Sequence, residues 1–319
     1  MLRCTDYRQR GTVLLVLAII MSMVTLGWLY GRAANRHAAD AVTAGALAVA
    51  RIALIGRAVV DANRPGSLPC PDANNDGVAD LLSGTQCPSY IGRLPWRTLG
   101  LSDIRDGDGE RLWYALSRDT GDTPSQIINS QATTGLLQVN GNVNMVAVLF
   151  SPGVAIDPQQ RGTLTQQLAV GNYLEDGNAD GDNAYVAKTA PDPAFDDRVM
   201  SVSSAEMFRN VERLVLQQIA ANLAQYAAQY HAYPFAGDQS GNAQPNQLAG
   251  YIPYNTLSFA PGNALVLNGW LQLILPPSSP PLPQVQPYIV SAAQDNVQIN
   301  LEYCGGNMAL NKTMVVHCG

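Results

Sequence analysis

Acidic residues set at alternate positions around glycines are the most chemically suggestive feature of this chain. Asp72-Ala73-Asn74-Asn75-Asp76-Gly77 fits the opening of a calcium loop, D-x-[DN]-x-[DN]-G, with Asp80 at the ninth position. Asp176-Gly177-Asn178-Ala179-Asp180-Gly181 fits the same opening. Calcium takes roughly six to eight hard oxygens, and carboxylates alternating around a glycine turn can supply several of them. Asp72, Asn74, Asp76 and Asp80 are therefore candidate ligands of one ion, and Asp176, Asn178 and Asp180 of a second. Calcium is the only cofactor the sequence suggests. Neither loop is an EF-hand, because Ser83 and Ala187 stand where the bidentate glutamate belongs. A shorter cluster, Asp106-Gly107-Asp108-Gly109-Glu110, is a weaker candidate of the same kind. The competing reading is that Asp, Asn and Gly together simply make turns.

Other chemistry finds little support. No G-x-S-x-G, P-loop, dinucleotide fingerprint or H-E-x-x-H occurs, so no catalytic residue is assigned and no enzyme is expected. The three histidines, His37, His231 and His317, are far apart in sequence. His231 sits at the end of an amphipathic segment beside Tyr230 and Tyr233, where packing or capping explains it better than base catalysis. Lys+Arg 19 against Asp+Glu 25 gives a formal net charge of -6, which argues against a nucleic-acid partner. Of the five cysteines, Cys70 and Cys87 bracket one short loop, and Cys304 and Cys318 another. Two local pairs suit disulfides in an oxidising compartment, each contributing about 3 kcal/mol in the chain-entropy model. Cys4 is left over.

The elements that must position these residues begin with the N-terminus. Residues 12–30, TVLLVLAIIMSMVTLGWLY, carry no charge and no proline. At about 1.5 Å per residue they match the ~30 Å hydrocarbon core of a bilayer. Arg3, Arg8 and Arg10 precede them, so the positive-inside rule puts this end in the cytoplasm and the remainder outside. No proline occurs before Pro65, and the spacing predicts one helix from Gly11 to about Asn63. Val42, Val49, Ile52 and Val59 are expected to form its apolar face beyond the membrane.

Arg8-Gln9-Arg10-Gly11, followed directly by the apolar helix, resembles the type IV pilin and pseudopilin superfamily. The resemblance covers about 55 residues. It implies a leader over residues 1–11, cut by a prepilin peptidase between Gly11 and Thr12, with methylation of the new N-terminus. It implies an inner-membrane helix that packs with other pilin or pseudopilin subunits, and an α+β head in the periplasm. It also implies that the C-terminal cysteine pair closes the last loop of the head. Two positions depart from the family: Thr12 replaces the usual Phe or Met, and Val16 replaces the glutamate at the fifth mature position. Val16 is similar to the tip pseudopilin of type II secretion and to some minor pilins.

Beyond the helix the chain repeats itself. Gly92-Arg-Leu-Pro-Trp-Arg-Thr-Leu-Gly-Leu101 and Gly250-Tyr-Ile-Pro-Tyr-Asn-Thr-Leu-Ser-Phe259 share the pattern G-x-[LI]-P-[WY]-x-T-L-x-[LF]. A tryptophan follows each, Trp113 and Trp270. A helix is expected before each copy, the second over about Ala205–Tyr230 with apolar positions Val211, Val215, Ile219, Leu223, Tyr226 and Tyr230. Strands are expected over Arg111–Ser117, Leu136–Asn140 and Met145–Ser151 in the first unit. In the second they are expected over Leu265–Leu275, Tyr288–Ala292, Val297–Tyr303 and Thr313–His317. A proline-rich loop should span residues 276–287.

The expected architecture is α+β. A transmembrane helix over 12–30 continues into a pilin-like head over 31–200, and a second pilin-like unit of helix plus antiparallel sheet follows over 201–319. The expected role is a minor pilin or pseudopilin-like structural subunit, excluded from a repeating shaft and placed at a tip. The alternative is a signal-anchored periplasmic protein whose calcium loops serve binding or adhesion.

Overall fold

The computed structural model describes residues 6–61, 64–123, 128–189, 192–257 and 287–319. Cys4, the expected strand over Leu265–Leu275 with its Trp270, the end of the second repeat at Phe259, and the proline-rich run through residue 286 lie outside the described residues. The fold is α+β, with a long apolar N-terminal helix and two sheets.

Helix α1 runs unbroken over Asp6–Val60, about 80 Å at the usual rise. It starts inside the arginine-bearing segment, earlier than the Gly11 start expected from the sequence. Its second half buries Thr43, Ala46, Leu47, Ala50, Leu54 and Ala58, spaced three or four apart apart from the adjacent pair. This corrects the expected apolar face. Val42, Val49 and Ile52 point into solvent and Val59 is only half-buried, while the alanine-rich side packs. Small side chains win the inner face because they let the helix approach its neighbours closely. Gly107 shows how close: a Cβ there would collide with the backbone of Ala39, and its N–H donates to Thr43 Oγ1 at 2.9 Å.

The first sheet has the order β1 (Ile91–Arg93), β2 (Trp113–Leu116), β4 (Asn142–Ser151), β3 (Leu137–Val139), β5 (Ala184–Tyr185), with β6 (Arg198–Ser203) also paired to β4. All pairs are antiparallel except β3 with β5. A five-residue helix, α2 (Leu164–Leu168), lies in the connection after β4 and is closed at its start by a capping box from Thr163 and Gln166. Both faces of the sheet are covered. Tyr114, Leu116 and Leu149 face the main core shared with α1, whereas Trp113, Ala115, Val148 and Phe150 face a second core with Tyr173 and Tyr185. Burial on both sides removes the polar alternation that marks a half-exposed strand, so strand boundaries here were soft in the sequence.

Helix α3 (Ser204–Tyr230) is capped at its start by Ser203, whose side chain accepts from Glu206 N. Val211, Val215, Ile219 and Leu223 are buried as the spacing predicts, while Tyr230 has emerged into solvent. His231 closes the helix in the left-handed conformation, φ 54°, and is a capping residue. The second sheet is a meander in the order β11 (Val315–Cys318), β10 (Cys304–Ala309), β9 (Asn296–Asn300), β8 (Tyr288–Val290), β7 (Ala249–Gly250). β10 was missed in the sequence because Cys304-Gly305-Gly306-Asn307 has none of the usual strand formers. A single buried cluster runs from Ala46 of α1 through α3 to Met308 of β10, so both sheets share one main core.

The sequence repeat is matched by a repeated set of hydrogen bonds. In the first copy Asp72 and Arg93 exchange backbone bonds at 2.9 and 2.8 Å, and Arg97 N donates to Gly77 O at 2.7 Å. Ala79 N donates to Thr98 Oγ1 at 2.8 Å, and Leu99 N to Pro95 O at 3.1 Å. In the second copy Gly237 and Tyr251 exchange bonds at 2.7 and 3.0 Å, and Asn255 N donates to Gly241 O at 2.9 Å. Ala243 N donates to Thr256 Oγ1 at 2.8 Å, and Leu257 N to Pro253 O at 2.9 Å. In each copy an aromatic ring lies over a left-handed glycine: Trp96 over Gly77, φ +87°, and Tyr254 over Gly241, φ +73°. A Cβ at either glycine would collide with ring atoms, of Trp96 at Gly77 and of Tyr254 at Gly241. Gly77→Ala and Gly241→Ala should each lose at least about 1–2 kcal/mol from the backbone alone, before any clash, measured by urea unfolding of the full chain in detergent. Wild-type stability in both variants would remove the ring-on-glycine account of the repeat.

Candidate functional site

Three surfaces carry the residues that could act. The first is α1 itself. From Leu14 to Tyr30 every side chain is exposed, and this helix is long and apolar enough to cross a membrane. Its few polar side chains are satisfied within the helix. Ser22 Oγ donates to Ile19 O at 2.8 Å, and Thr25 Oγ1 lies 3.0 Å from Met21 O. Trp28 stacks under the Arg32 guanidinium at 3.9 Å, the aromatic–basic pairing expected at a membrane–water boundary. Gly11 and Thr12, the expected processing residues, lie within the helical span of α1.

The second surface is the set of acidic loops. In the first loop Asp72 is 1% exposed, and its carboxylate is enclosed by amides of its own loop. Oδ1 accepts from Asn75 N at 2.6 Å and Asp76 N at 3.3 Å, and Oδ2 accepts from Gly77 N at 2.6 Å. Burial raises the pKa of Asp72, and those amide bonds oppose the rise. Asn74 Oδ1 accepts from Asp76 N, Asp76 Oδ1 from Val78 N, and Asp80 Oδ2 from Ala73 N. Asp76 N is thus shared between Asp72 and Asn74, and each of the other amides has one of these oxygens. In the second loop the three candidates diverge. Asp176 pairs with Lys188 at 2.8 Å, Asn178 is buried against Val186 and Asp197, and Asp180 Oδ1 accepts from Asp182 N. Among the described residues no group of three or more His, Cys, Asp or Glu is placed to hold a metal ion. In the third cluster Asp106 is buried and accepts from Asp108 N, Glu110 N, Ser151 Oγ and Gly153 N. That turn presses Gly107 against α1, so it docks the head on the helix.

The third surface was not anticipated. Asp197, 2% exposed, accepts from Glu175 N at 3.0 Å and Asn178 Nδ2 at 2.9 Å through Oδ2. Glu175 returns the contact, its Oε2 accepting from Asp196 N and Asp197 N, both at 3.2 Å. Asp196 Oδ1 and Asp197 Oδ1 are buried without a hydrogen-bond partner. Burial, with Glu175 next, raises Asp196 to about 6 and Asp197 to about 8. These acids border a cavity of about 650 Å³ between the head and α1, which Asp40, Asp108 and Arg198 also line. Nearby, Arg161 donates to Glu110 at 3.1 Å and lies over Tyr173. No spacing rule flags Glu175, Asp196 and Asp197, because they come from different turns of an irregular connection.

The disulfides join Cys70 to Cys87 and Cys304 to Cys318, as the local spacing suggests. Cys304 lies next to a buried anchor: Glu212 of α3, fully buried, accepts from Tyr303 N at 2.8 Å and Cys304 N at 2.9 Å. The aromatics Tyr251 and Tyr254 are half-buried.

Two outcomes follow from this geometry. Asp72→Ala leaves the Asn75 and Gly77 amides without their acceptor, while Asp76 N keeps Asn74 Oδ1, and should cost about 1–3 kcal/mol. Because amides of the loop already hold Asp72, the melting temperature should not change when calcium is chelated, and a fall on chelation would identify this loop as a calcium site. For the buried acids, the folded-state values of about 6 and about 8 lie above the ordinary Asp value of 3.8. Their contribution to stability is complete below the unfolded value and is lost as pH rises through the folded values. Each tenfold change in proton affinity is about 1.4 kcal/mol, so melting temperature should fall between about pH 4 and about pH 8. Asp197→Asn should flatten most of that slope, and an unchanged slope would remove Asp197 as its source.

Comparison with protein-family models, curated proteins and solved structures finds no match. The surfaces of the molecule themselves therefore carry the functional argument.

Proposed function

We propose that this chain is an assembly subunit of a bacterial envelope fibre or secretion machine, a large minor pilin or pseudopilin-like protein. The first half of α1 would hold it in the inner membrane, N-terminus cytoplasmic and head periplasmic. Its work would be contact and assembly rather than catalysis.

One observation carries this reading over a simple anchor. Val42, Gly45, Val49, Ile52, Gly56 and Val60 succeed one another at intervals of three or four, and all are exposed. They lie on the side of α1 away from the buried Ala46, Ala50 and Ala58. Val49 is 46% exposed and Ile52 70%. A bare anchor needs only about 20 apolar residues and gives no reason for a charge-free stripe continuing beyond it. Near-heptad spacing is that of a helix–helix seam, and glycines within it let a second backbone come close. The fitting partners are the N-terminal helices of other subunits, after prepilin peptidase has cut between Gly11 and Thr12.

Val16 supports a place at the tip. A carboxylate in the bilayer is costly by about 2.5–3.5 kcal/mol on insertion scales unless it finds a partner. A subunit with nothing above it has no neighbouring N-terminal amine to neutralise, so valine suits it.

Val49→Glu with Ile52→Glu tests the seam. Both positions are exposed, so folding should change by no more than about 0.5 kcal/mol per site, while the chain disappears from isolated fibres or pseudopilus complexes. Undiminished incorporation would sink the assembly reading. N-terminal sequencing of membrane-extracted protein should begin at Thr12, and a retained Met1 would favour the signal-anchored alternative. Quantitative stoichiometry should find one copy per assembly, against many copies of a shaft subunit.

A further inference from the structure

Arg93 is a buried cation that has no counter-ion among the described residues. It is 3% exposed, and its guanidinium lies between two rings, 4.4 Å from the centroid of Trp113 and 3.9 Å from that of Tyr173. Nη1 donates to Arg111 O at 2.8 Å and Nη2 to Gln167 O at 3.3 Å. Ring faces and neutral carbonyls support a guanidinium but do not neutralise it. Its Nε–H has no hydrogen-bond partner, and neither has the indole N–H of Trp113, itself 2% exposed. Two unused donors, one of them charged, are thus buried side by side.

Both residues border a cavity of about 200 Å³. Its other walls include Ile91 from β1 and Leu168 and Val170 from α2 and the turn after it. The nearby acids are already committed. Asp72 also borders the cavity, but both its oxygens accept amides of their own loop. Glu110 pairs with Arg161 at 3.1 Å. A buried charge is costly unless it is paired and hydrogen-bonded, and a guanidinium fork matches a carboxylate with two parallel bonds.

We propose that this cavity binds a small aliphatic carboxylate. One carboxylate would accept the free Nε–H and a terminal N–H of Arg93 together with the indole N–H of Trp113. Its alkyl end would rest on Leu168 and Val170. Those apolar walls disfavour a strongly hydrated dianion such as phosphate. The site is independent of the assembly seam on α1, so either proposal can fail alone.

The test is a titration of the full chain in detergent micelles at fixed pH and ionic strength. Acetate, propionate and inorganic phosphate are the probes. The readout is the nitrogen–proton resonance of the Trp113 indole, assigned by its loss in Trp113→Phe. Acetate and propionate should move that resonance saturably. Arg93→Lys keeps the charge but loses the fork, and should weaken binding at least about tenfold. Leu168 is 39% exposed, so Leu168→Trp should fill the cavity mouth, abolish binding and leave the melting temperature unchanged. Absence of a saturable shift with both carboxylates would overturn the proposal. So would equal binding in Leu168→Trp, or phosphate binding as tightly as propionate.

Discussion

One helix carries both an apolar stretch exposed on every side and a face that packs into a core, and the rest of the molecule is arranged around that constraint. From Leu14 to Tyr30 α1 is uncharged and exposed on every side, while its second half must present one side to a protein core. Alanines at positions 46, 50 and 58 form that inner side. They bury modest area but bring the helix axis close to β4, β6 and α3, so large side chains such as Tyr114, Phe208 and Leu216 fill the space from the opposite direction. The head depends on this approach. Gly107 meets the α1 backbone, Thr43 takes its amide, and Arg51 and Arg198 reach Glu206 and Asp40. The Arg198–Asp40 pair is exposed and adds little, the Arg51–Glu206 pair is part-buried, and the close apolar contact holds the head.

The two units solve loop closure in the same way. A glycine in the left-handed region lets an aromatic ring close over the backbone, and a threonine two residues beyond the ring takes an amide from the far side of the loop. A cystine ties the outer end of the first copy, from Cys70 to Cys87, while in the second unit Cys304–Cys318 ties the last two strands. The acidic residues of the first copy belong to this closure. Asp72 gathers the Asn75 and Gly77 amides and shares that of Asp76 with Asn74, which is the turn-making use of aspartate.

Buried charge is concentrated on the far side of the first sheet. Arg93 and Arg161 face opposite sides of the arrangement around Tyr173, and Glu175 and Asp197 gather the amides of the connection that leads to β6. Burial raises the carboxyls and lowers Arg93, since desolvation opposes the charged form of either sign. The geometry ties the ionisation of the head to the segment that lines its boundary with α1.

The sequence by itself determined the long helix, the helix 204–230, the two local disulfides and the repeated proline–aromatic–threonine pattern, since each rests on near-neighbour spacing. It also pointed to Asp72 and its loop, because turn chemistry is local. Tertiary structure decided what spacing leaves open. It chose the alanine side of α1 over the valine side as the buried face, since close approach outweighed side-chain area. It buried both faces of the first sheet, which erased the alternation that would have marked its strands, and it made β10 a strand through pairing with β9 and β11 rather than through propensity. It set Arg93 between Trp113 and Tyr173, and Glu175 beside Asp197, by bringing together segments far apart in the chain. Proton affinity depends on burial and on such neighbours, so no count of acidic residues could have shown where those charges would be hardest to keep.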